Sequence, residues 1–380
     1  MVILGIETSC DDTGIAVIKA SPTRKAVGVN FEILSNVVSS QIKTHAPFGG
    51  VVPNLAAREH LKNIEPCLKT ALKKANVKIK DTCLTGRQVD LIAVTVGPGL
   101  IPSLLIGVNF AKALAYKYNI PIVGVNHIEA HIIAAIGSEN SKFPAFAKAS
   151  AGKPAIALTV SGGHTQLVLV KGIGKYKILG ETRDDAAGEC FDKVAKLLNL
   201  GYPGGPVIAA QAAKLKVKSQ KLKVNLPRPM IQHKNYDFSF SGLKTAVLYL
   251  TQDNKNKMKD EKFIQEICRE TQQAIIDVLI SKTLRAAEEY KAKTIILAGG
   301  VAANEELRKQ FKLKIENLKL SARGGSAFGG KIDFLTPSKI LCTDNGAMIA
   351  MAGYYNRKKT CPAVAKRLCG IIANSNLRLS

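Results

Sequence analysis

The stretch VILGIETSCDDTGIAVI, residues 2–18, decides the fold class, because two apolar runs flank a polar, acidic turn. Each run has the length and composition of a short buried strand, and the turn between them spans Thr8–Thr13. The same arrangement returns at Ala155–Val170, where the turn is Ser161-Gly162-Gly163-His164-Thr165. This repetition predicts a duplicated α/β fold with a cleft between its halves.

Strand-like and helical patterns alternate through the rest of the chain. Further strands are predicted at Leu91–Val96, Ile120–Val125 and Thr294–Ala298. Helices are predicted over Ser103–Tyr118 and, from an apolar stripe spaced i, i+3, i+4, through Ile264–Leu279. This alternation favours α/β layers over a helix bundle or a β-sandwich.

The composition indicates a folded protein that binds polyanions. The 380 residues include 54 Lys and Arg against 29 Asp and Glu, which gives a formal net charge of +25. Such a charge makes nucleic acid the leading partner class, and the alternative is a lysine-rich but merely solvated surface. The eight cysteines form no C-x-x-C pair, which favours a reduced compartment. With no signal peptide or 18-residue apolar run visible, we expect a cytoplasmic protein that does not span a membrane.

The hexapeptide Asn126-His127-Ile128-Glu129-Ala130-His131 carries the most specific local signal. Two histidines four positions apart on a helix project from one face and can bind one metal ion. Asn126 is a suitable N-cap, and Glu129 is spaced to close a capping box. On the spacing alone, a pair of ordinary helix histidines is an equally good interpretation.

Zinc proteases with an H-E-x-x-H motif are disfavoured by the position of the acid. Glu129 lies two residues after His127, roughly 200° around the helix, so it points away from the metal-binding face. A protease activity is therefore not expected.

Asp344 is a candidate third ligand. It follows the apolar pair Ile340-Leu341, interpreted as the end of a strand, and precedes a helical run at Ala347–Ala352. Its carboxylate could complete a set of two histidines and one carboxylate with open metal positions. The alternative role for Asp344 is that of a helix N-cap.

Two glycine-containing loops are candidate anion sites. The loop at Thr159–Thr165 offers backbone N–H groups, although a simple tight hairpin explains it equally. Gly299–Asn304 follows a strand and leads into a helix at Glu305–Phe311, which is a geometry typical of phosphate sites and also of purely structural turns. The acidic segment Asp184–Lys193 could bind ribose hydroxyls or a metal's waters, or form only a helix with an acidic first turn.

Together these motifs closely resemble the bacterial branch of the TsaD family, the tRNA N6-adenosine threonylcarbamoyltransferases, which were once classed as glycoproteases. The sequence departs from the family's usual residues at Asp12, Ala130 and Thr159, and the segments near 138–153 and 320–337 look longer than usual. The resemblance runs almost end to end and covers nine motifs in order: Gly5–Asp11, Pro98–Leu100, Asn126–His131, Ser161–Thr165, Glu189–Lys193, Tyr202–Pro206, Phe238–Lys244, Gly299–Asn304 and Cys342–Gly346.

The resemblance implies a duplicated actin/sugar-kinase/heat-shock-protein-like fold with two α/β lobes around a central nucleotide cleft. We expect an N-terminal lobe over residues 1–136 and a C-terminal lobe over 137–345. A C-terminal helix, 346–380, is expected to pack back on the N-terminal lobe.

The resemblance also implies roles for individual residues. His127, His131 and Asp344 match the family's metal ligands, and Asp11 matches an acid in the first loop, with a role in catalytic support. The residues that match substrate-binding positions fall into a phosphate loop and a nucleotide-holding set: Thr159, Val160, Ser161, Gly162 and Gly163, followed by Asp192, Gly205 and Asn304.

The activity implied is transfer of a threonylcarbamoyl group from threonylcarbamoyl-AMP to N6 of adenosine 37 in tRNAs that read codons beginning with A. One divalent metal ion per subunit is expected, Fe²⁺ by family and Zn²⁺ as an alternative. Bacterial members work with a degenerate paralogous subunit, which forms a heterodimer, and with a small ATPase. Two other hypotheses stay open: an ATP-dependent small-molecule kinase or ATPase of the same fold, and a non-catalytic scaffold for RNA or protein.

Overall fold

The computed structural model describes residues 1–22, 29–79, 88–137, 154–215, 224–321, 332–361 and 370–379. The chain divides into two compact units. The first comprises Met1–His45, Val51–Ala151 and Pro337–Ser380, and the second comprises Ala46–Gly50 and Gly152–Thr336. The lobe limits expected from the sequence stay a prediction. Residues 138–153 and 322–331, most of the two segments that look long for the family, lie outside the described part of the chain.

The first unit is built on a mixed sheet whose strand order is β3-β2-β1-β4-β5. Antiparallel pairing joins β1 to β2 and β2 to β3, whereas β1, β4 and β5 run parallel. The strands are Val2–Glu7 (β1), Asp12–Pro22 (β2), Val29–Ser40 (β3), Leu91–Gly97 (β4) and Ile122–Asn126 (β5). The helices are Ile42–His45 (α1), Pro53–Ala75 (α2), Ile101–Tyr118 (α3), His127–Gly137 (α4) and Gly346–Asn356 (α10), with 3₁₀ turns at Lys339–Leu341 and Arg357–Lys359. A further 3₁₀ turn, Ala46–Phe48, belongs to the second unit.

Strand β1 lies in the centre of this sheet and every one of its residues is buried. Leu4 and Ile6 are among the side chains that pack beneath α2 and α3 in the core. Burying an aliphatic side chain of this size contributes roughly 1.5–3 kcal/mol. Helix α10 covers the opposite face so closely that a Cβ on Gly5 would lie 2.0 Å from the carbonyl oxygen of Gly346. Only glycine permits this approach.

The second unit repeats the topology of the first. Its sheet has the order β10-β9-β6-β7-β8, with β6, β9 and β10 parallel and β6, β7 and β8 antiparallel. The strands are Ala155–Val160 (β6), Thr165–Gly172 (β7), Lys175–Glu181 (β8), Thr294–Ala298 (β9) and Asp333–Leu335 (β10). The helices are Ala187–Leu197 (α5), Gly204–Lys214 (α6), Ser241–Asp253 (α7), Glu261–Glu289 (α8) and Glu305–Ser321 (α9), with 3₁₀ turns at Lys255–Lys259 and Gly300–Ala303. The predicted duplicated α/β fold is confirmed.

The structure corrects several element predictions. Ile340-Leu341 lies in a 3₁₀ helix and not in a strand. The C-terminal helix ends at Asn356, and residues 370–379 are not helical. Strands β3 and β8 were not predicted, because each is an edge strand that exposes many of its residues and so lacks a continuous apolar run. No helix among the described residues is both long and apolar enough to cross a membrane.

Candidate metal centre

The candidate metal centre lies where the parallel strands of the first unit end. Glu7 is the last residue of β1, Thr95 lies near the end of β4, and His127 directly follows β5. Because parallel strands have their carboxyl ends at one edge of a sheet, three residues far apart in the sequence meet there.

Helix α4 presents the two histidines. The side-chain oxygen of Asn126 accepts hydrogen bonds from the backbone N–H groups of Ile128 at 2.9 Å and Glu129 at 3.1 Å, so the predicted N-cap is present. All ten residues from His127 to Ile136 are buried. Glu129 accepts a hydrogen bond from the side chain of Asn356 in α10 at 2.9 Å, which ties the two helices together. The histidines are therefore held on a fixed, buried helix.

The three predicted ligands converge. Asp344 Oδ1 lies 3.5 Å from His127 Nε2 and 3.2 Å from His131 Nε2. One ligand atom from each residue lies within 4.8 Å of the others, and the two imidazole rings meet edge to face with centroids 4.7 Å apart. His127 and His131 are only 4% and 1% exposed.

The group fits a divalent metal ion. Although His131 is buried, neither of its ring nitrogens makes a hydrogen bond of acceptable geometry within the described part of the chain. An uncompensated buried polar atom is costly, and coordination would satisfy it. Two imidazoles and one carboxylate suit iron or zinc and leave coordination positions open.

Asp344 is positioned by the start of α10 and does not cap that helix. The N-cap is Asn345, whose side chain accepts from the backbone N–H of Met348 at 3.0 Å and donates to the Thr343 carbonyl at 2.7 Å. This leaves the Asp344 carboxylate directed at the histidines, and the N-cap interpretation of Asp344 is replaced.

Glu7 was missed by the sequence analysis. Its carboxylate is completely buried and accepts hydrogen bonds from the backbone N–H of Ser9, from Thr95 Oγ1 at 2.7 Å and from His127 Nδ1 at 3.1 Å. His127 Nδ1 also lies 3.2 Å from Ser9 Oγ. The only signal in the sequence is a charged residue that ends an otherwise apolar strand.

The acidic turn between β1 and β2 lies within electrostatic range of the metal group. Burial and the negative charge of Asp344 raise the pKa of Asp11. Burial and the charge of Asp11 raise the pKa of Asp12 to about 7. Burial, with Asp11 and Asp344, raises the pKa of the Cys10 thiol well above its usual value, so this thiol is not a ready nucleophile.

A buried histidine holds the same turn in place. His60, on α2, donates from Nε2 to the Cys10 carbonyl at 3.0 Å, and its Nδ1 lies 2.8 Å from Thr13 Oγ1. Burial lowers the pKa of His60, which agrees with a neutral ring. Ser103 Oγ donates to the same carbonyl at 3.2 Å. The turn that carries Asp11 is thereby fixed from two helices.

In the second unit the glycine loop is a tight hairpin turn. Ser161 and His164 exchange hydrogen bonds across it, and Val160 pairs with Thr165 at its base. Two of the predicted substrate residues, Gly162 and Gly163, are exposed, and a Cβ on either would meet open space. Of the other three in this loop, Ser161 is half-buried, and Thr159 and Val160 are buried in β6. Only the tip of the loop is thus accessible to a ligand.

The structure brings a second glycine turn and a helix start to this loop. Gly299 has φ +90° and would place a Cβ 2.4 Å from the Val160 carbonyl oxygen. The Gly188 N–H, at the start of α5, donates to the Ser161 carbonyl at 3.2 Å. Asn304 caps α9 through the Leu307 N–H at 3.0 Å, and its amide also donates to a glutamine of α8.

Asp192 contacts the start of α6, the helix on which Gly205 lies. Asp192 Oδ1 accepts from the Gly204 N–H at 2.6 Å, and a Cβ on Gly205 would meet open space. The nearby Asp184 accepts hydrogen bonds from the backbone and hydroxyl of Ser241 at the start of α7, which explains it structurally. The side chains of Asp192 and Asn304 thus each make contacts within the second unit.

The two units define a duplicated α/β fold, and the first unit carries the candidate metal group. Structural likeness agrees: full-length HypF in its phosphate- and nucleotide-bound form superposes with a TM-score of 0.51 at 13% identity, over 94% of this chain and 55% of that chain. HypF from T. kodakarensis superposes with a TM-score of 0.53 at 14% identity, over 94% of this chain and 47% of that chain. This chain spans about half the length of each, and at such identities the likeness shows the fold alone.

Sequence comparison is more specific. The family model TsaD, tRNA N6-adenosine threonylcarbamoyltransferase, matches residues 32–351. The protein of that name from Thermosipho africanus is 46% identical to this chain, and the match covers 94% of this chain and 95% of the relative. The protein of that name from Persephonella marina is 47% identical, and the match covers 95% of this chain and 91% of the relative. The relative in Clostridioides difficile is 45% identical over 94% and 93%.

The chain therefore belongs to the TsaD family. The predictions of family, fold class and transferase class are confirmed, and the kinase alternative is not favoured.

Proposed function

We propose that this protein transfers the threonylcarbamoyl group from threonylcarbamoyl-AMP to N6 of adenosine 37 in tRNAs that read codons beginning with A. The observation that carries the proposal is the group of buried His127, buried His131 and half-buried Asp344 in a chain of the TsaD family. The net charge of +25 supports a polyanionic acceptor.

The reaction is an acyl transfer that needs no protein nucleophile. The N6 amine attacks the carbamoyl carbon, a C–N bond forms, and the C–O bond to the AMP phosphate breaks. The amine loses one proton, and AMP leaves as a stable anion. The raised pKa of Cys10, the thiol beside Asp11, agrees with a mechanism in which no cysteine is acylated.

The first unit would hold the metal and support proton transfer. His127, His131 and Asp344 would bind one divalent ion, Fe²⁺ by family resemblance or Zn²⁺ by the chemistry of the donors. When bound, such an ion supplies Lewis-acid polarisation and a template for substrate oxygens. Asp11 would provide catalytic support from the turn that His60 and Ser103 hold in place.

The second unit would bind the substrate. Backbone N–H groups at the exposed tip of the Thr159–Gly163 loop suit the phosphate and any negative charge that develops on it. Asp192, Gly205 and Asn304 would hold the nucleotide portion. Because the side chains of Asp192 and Asn304 already make contacts in the chain, their role would be to shape the surface as much as to bind directly.

Lysine clusters would bind tRNA phosphates. One described cluster comprises the exposed Lys255, Lys257 and Lys259 in the 3₁₀ turn before α8, followed by Lys262. Each phosphate neutralised releases counterions, so binding should weaken steeply with salt. An anticodon loop presents unpaired bases, so little base pairing must be broken to reach N6.

Partners and compartment follow the family. We propose a heterodimer with a degenerate paralogous subunit, a small ATPase as a further component, and a cytoplasmic location where tRNA is modified.

The test is mass spectrometry of nucleosides from tRNA incubated with this protein, its partners, a divalent metal and threonylcarbamoyl-AMP. We expect threonylcarbamoyladenosine with the natural chain and its loss in His131→Ala, because a buried ligand is removed. His233→Ala is the matched control, since that histidine is exposed and lies outside the metal group.

Three outcomes would contradict parts of the proposal. Full activity of a folded His131→Ala variant would contradict the metal assignment. Phosphorylated product or phosphate release that needs no tRNA would favour a kinase or ATPase. Tight tRNA binding with no covalent product under any complementation would favour a scaffold.

A further inference from the structure

We propose that Glu7 is a positioning residue that fixes the His127 ring so that Nε2 is the metal-binding nitrogen. The inference deepens the metal centre of the proposed function and rests on it. Glu7 is not itself a ligand in the candidate group, because its carboxylate faces the far side of the His127 ring.

The Glu7 carboxylate has three hydrogen-bond partners. Its two oxygens receive the Ser9 N–H, the Thr95 hydroxyl and His127 Nδ1, so each partner is a donor or can act as one. Carboxylate oxygens are hydrogen-bond acceptors, so the ring nitrogen of His127 that faces them is placed to donate. His127 Nδ1 therefore carries the hydrogen.

This hydrogen decides which nitrogen can bind metal. A neutral imidazole with a proton on Nδ1 has its lone pair on Nε2. His127 Nε2 is the nitrogen that lies 3.5 Å from Asp344 Oδ1, on the side where His131 Nε2 also lies. A carboxylate behind the ring fixes the tautomer and the ring orientation and makes the ligand more basic.

The two histidines differ in this respect. His127 has Glu7 and Ser9 behind it, whereas the Nδ1 of His131 makes no hydrogen bond within the described residues. Thr95 reaches Glu7 from a neighbouring strand and restricts its rotamer. The support is therefore built by three parallel strands around one histidine, and His127 is the preoriented ligand.

The test measures Zn²⁺ affinity by chelator competition on the metal-free full-length protein, together with ¹⁵N NMR of the histidine side chains. We expect Glu7→Ala to weaken Zn²⁺ binding about 10- to 100-fold, as outer-shell partners commonly do. Glu7→Gln should give a smaller loss, because an amide oxygen still accepts from Nδ1 but carries no charge. In the Zn²⁺-bound natural protein, the His127 hydrogen should be on Nδ1, and Glu7→Ala should speed the exchange of that hydrogen with water because its acceptor is removed.

Glu129→Gln is the matched control, since it removes one buried carboxylate from the helix that carries both histidines. We expect it to leave Zn²⁺ affinity within a few-fold of the natural protein. A folded Glu7→Ala variant with natural Zn²⁺ affinity and natural exchange of the His127 Nδ1 hydrogen would overturn the inference. If the natural protein also forms threonylcarbamoyladenosine, the proposed function stands without it. A natural protein that binds no Zn²⁺ or Fe²⁺ would overturn the metal centre itself.

Discussion

Replacing Gly5 by alanine should separate Asp344 from the two histidines. Gly5 lies in β1, and helix α10 packs directly on it. An alanine Cβ would lie 2.0 Å from the Gly346 carbonyl oxygen, 2.7 Å from the Ala350 nitrogen and 2.9 Å from the Ala350 Cβ. The first of these contacts is with backbone, which no side-chain rotation can relieve.

The size of the effect follows from the distances. Ordinary contact begins at 3.4 Å, so the first turn of α10 must recede from β1 by more than 1 Å. Metal–ligand distances tolerate only about ±0.2 Å, and Asp344 lies two residues before the residue that is pushed away. Overpacking of a core typically costs about 1–3 kcal/mol, and a backbone clash belongs at the upper end of that range.

A graded series of variants makes the experiment sharp. Gly14→Ala should have a milder effect, since its Cβ would lie 2.8 Å from the Gly346 nitrogen and 3.0 Å from Asn345 Cα. Gly172→Ala is the control, because nothing lies within 4 Å of the added carbon. We expect urea unfolding and Zn²⁺ competition to rank the losses as Gly5 greater than Gly14, with Gly172 near zero.

Natural stability and natural Zn²⁺ affinity in Gly5→Ala would refute this reasoning. A loss of stability with unchanged affinity would show that Asp344 is held independently of α10. If Gly5→Ala does not fold, Gly14→Ala still tests the link, because its smaller clash involves the same turn.

Two further predictions concern stability. Lys282 is fully buried, and burial lowers the pKa of its ammonium group from 10.5 to about 8. Between pH 8 and 10.5 the unfolded chain therefore binds more protons than the folded chain, so the free energy of unfolding rises with pH in that range. Lys282→Met should therefore add roughly 1–3 kcal/mol to the free energy of unfolding near neutral pH and flatten that rise, and a difference independent of pH would contradict this. Asn126→Ala should cost about 1 kcal/mol through the lost N-cap, and Asn126→Asp, which keeps the acceptor, should recover most of it in urea unfolding.

The sequence alone predicts the core strands and the histidine pair because both rest on local periodicity. His127 and His131 are four residues apart, so a helix places them together whatever the rest of the chain does. Asp344 lies more than two hundred residues away, and spacing cannot show that it joins them. From the residues, Asp344 was a candidate either for the third ligand or for a helix N-cap, and the family resemblance implied the ligand. The structure brings the three residues together.

The hydrogen bonds that Glu7 and Thr95 provide behind His127 could not be predicted from local periodicity. Glu7 and Thr95 come from strands that are neighbours only in the folded sheet. A single charged residue in a buried strand has no periodic signature, and its partners depend on strand order and register. The edge strands were missed for a related reason, since their exposed faces carry polar residues.

The two hairpin turns at 8–11 and 161–164 occupy the same place in the two sheets, each joining the first strand of its unit to the second. One turn carries the acid Asp11, and the other offers only glycine, serine and histidine. Because each turn joins two hydrogen-bonded strands, the residues of the turn can differ between the two units while the sheet topology stays the same. The side chains at one turn can therefore change without any change at the other.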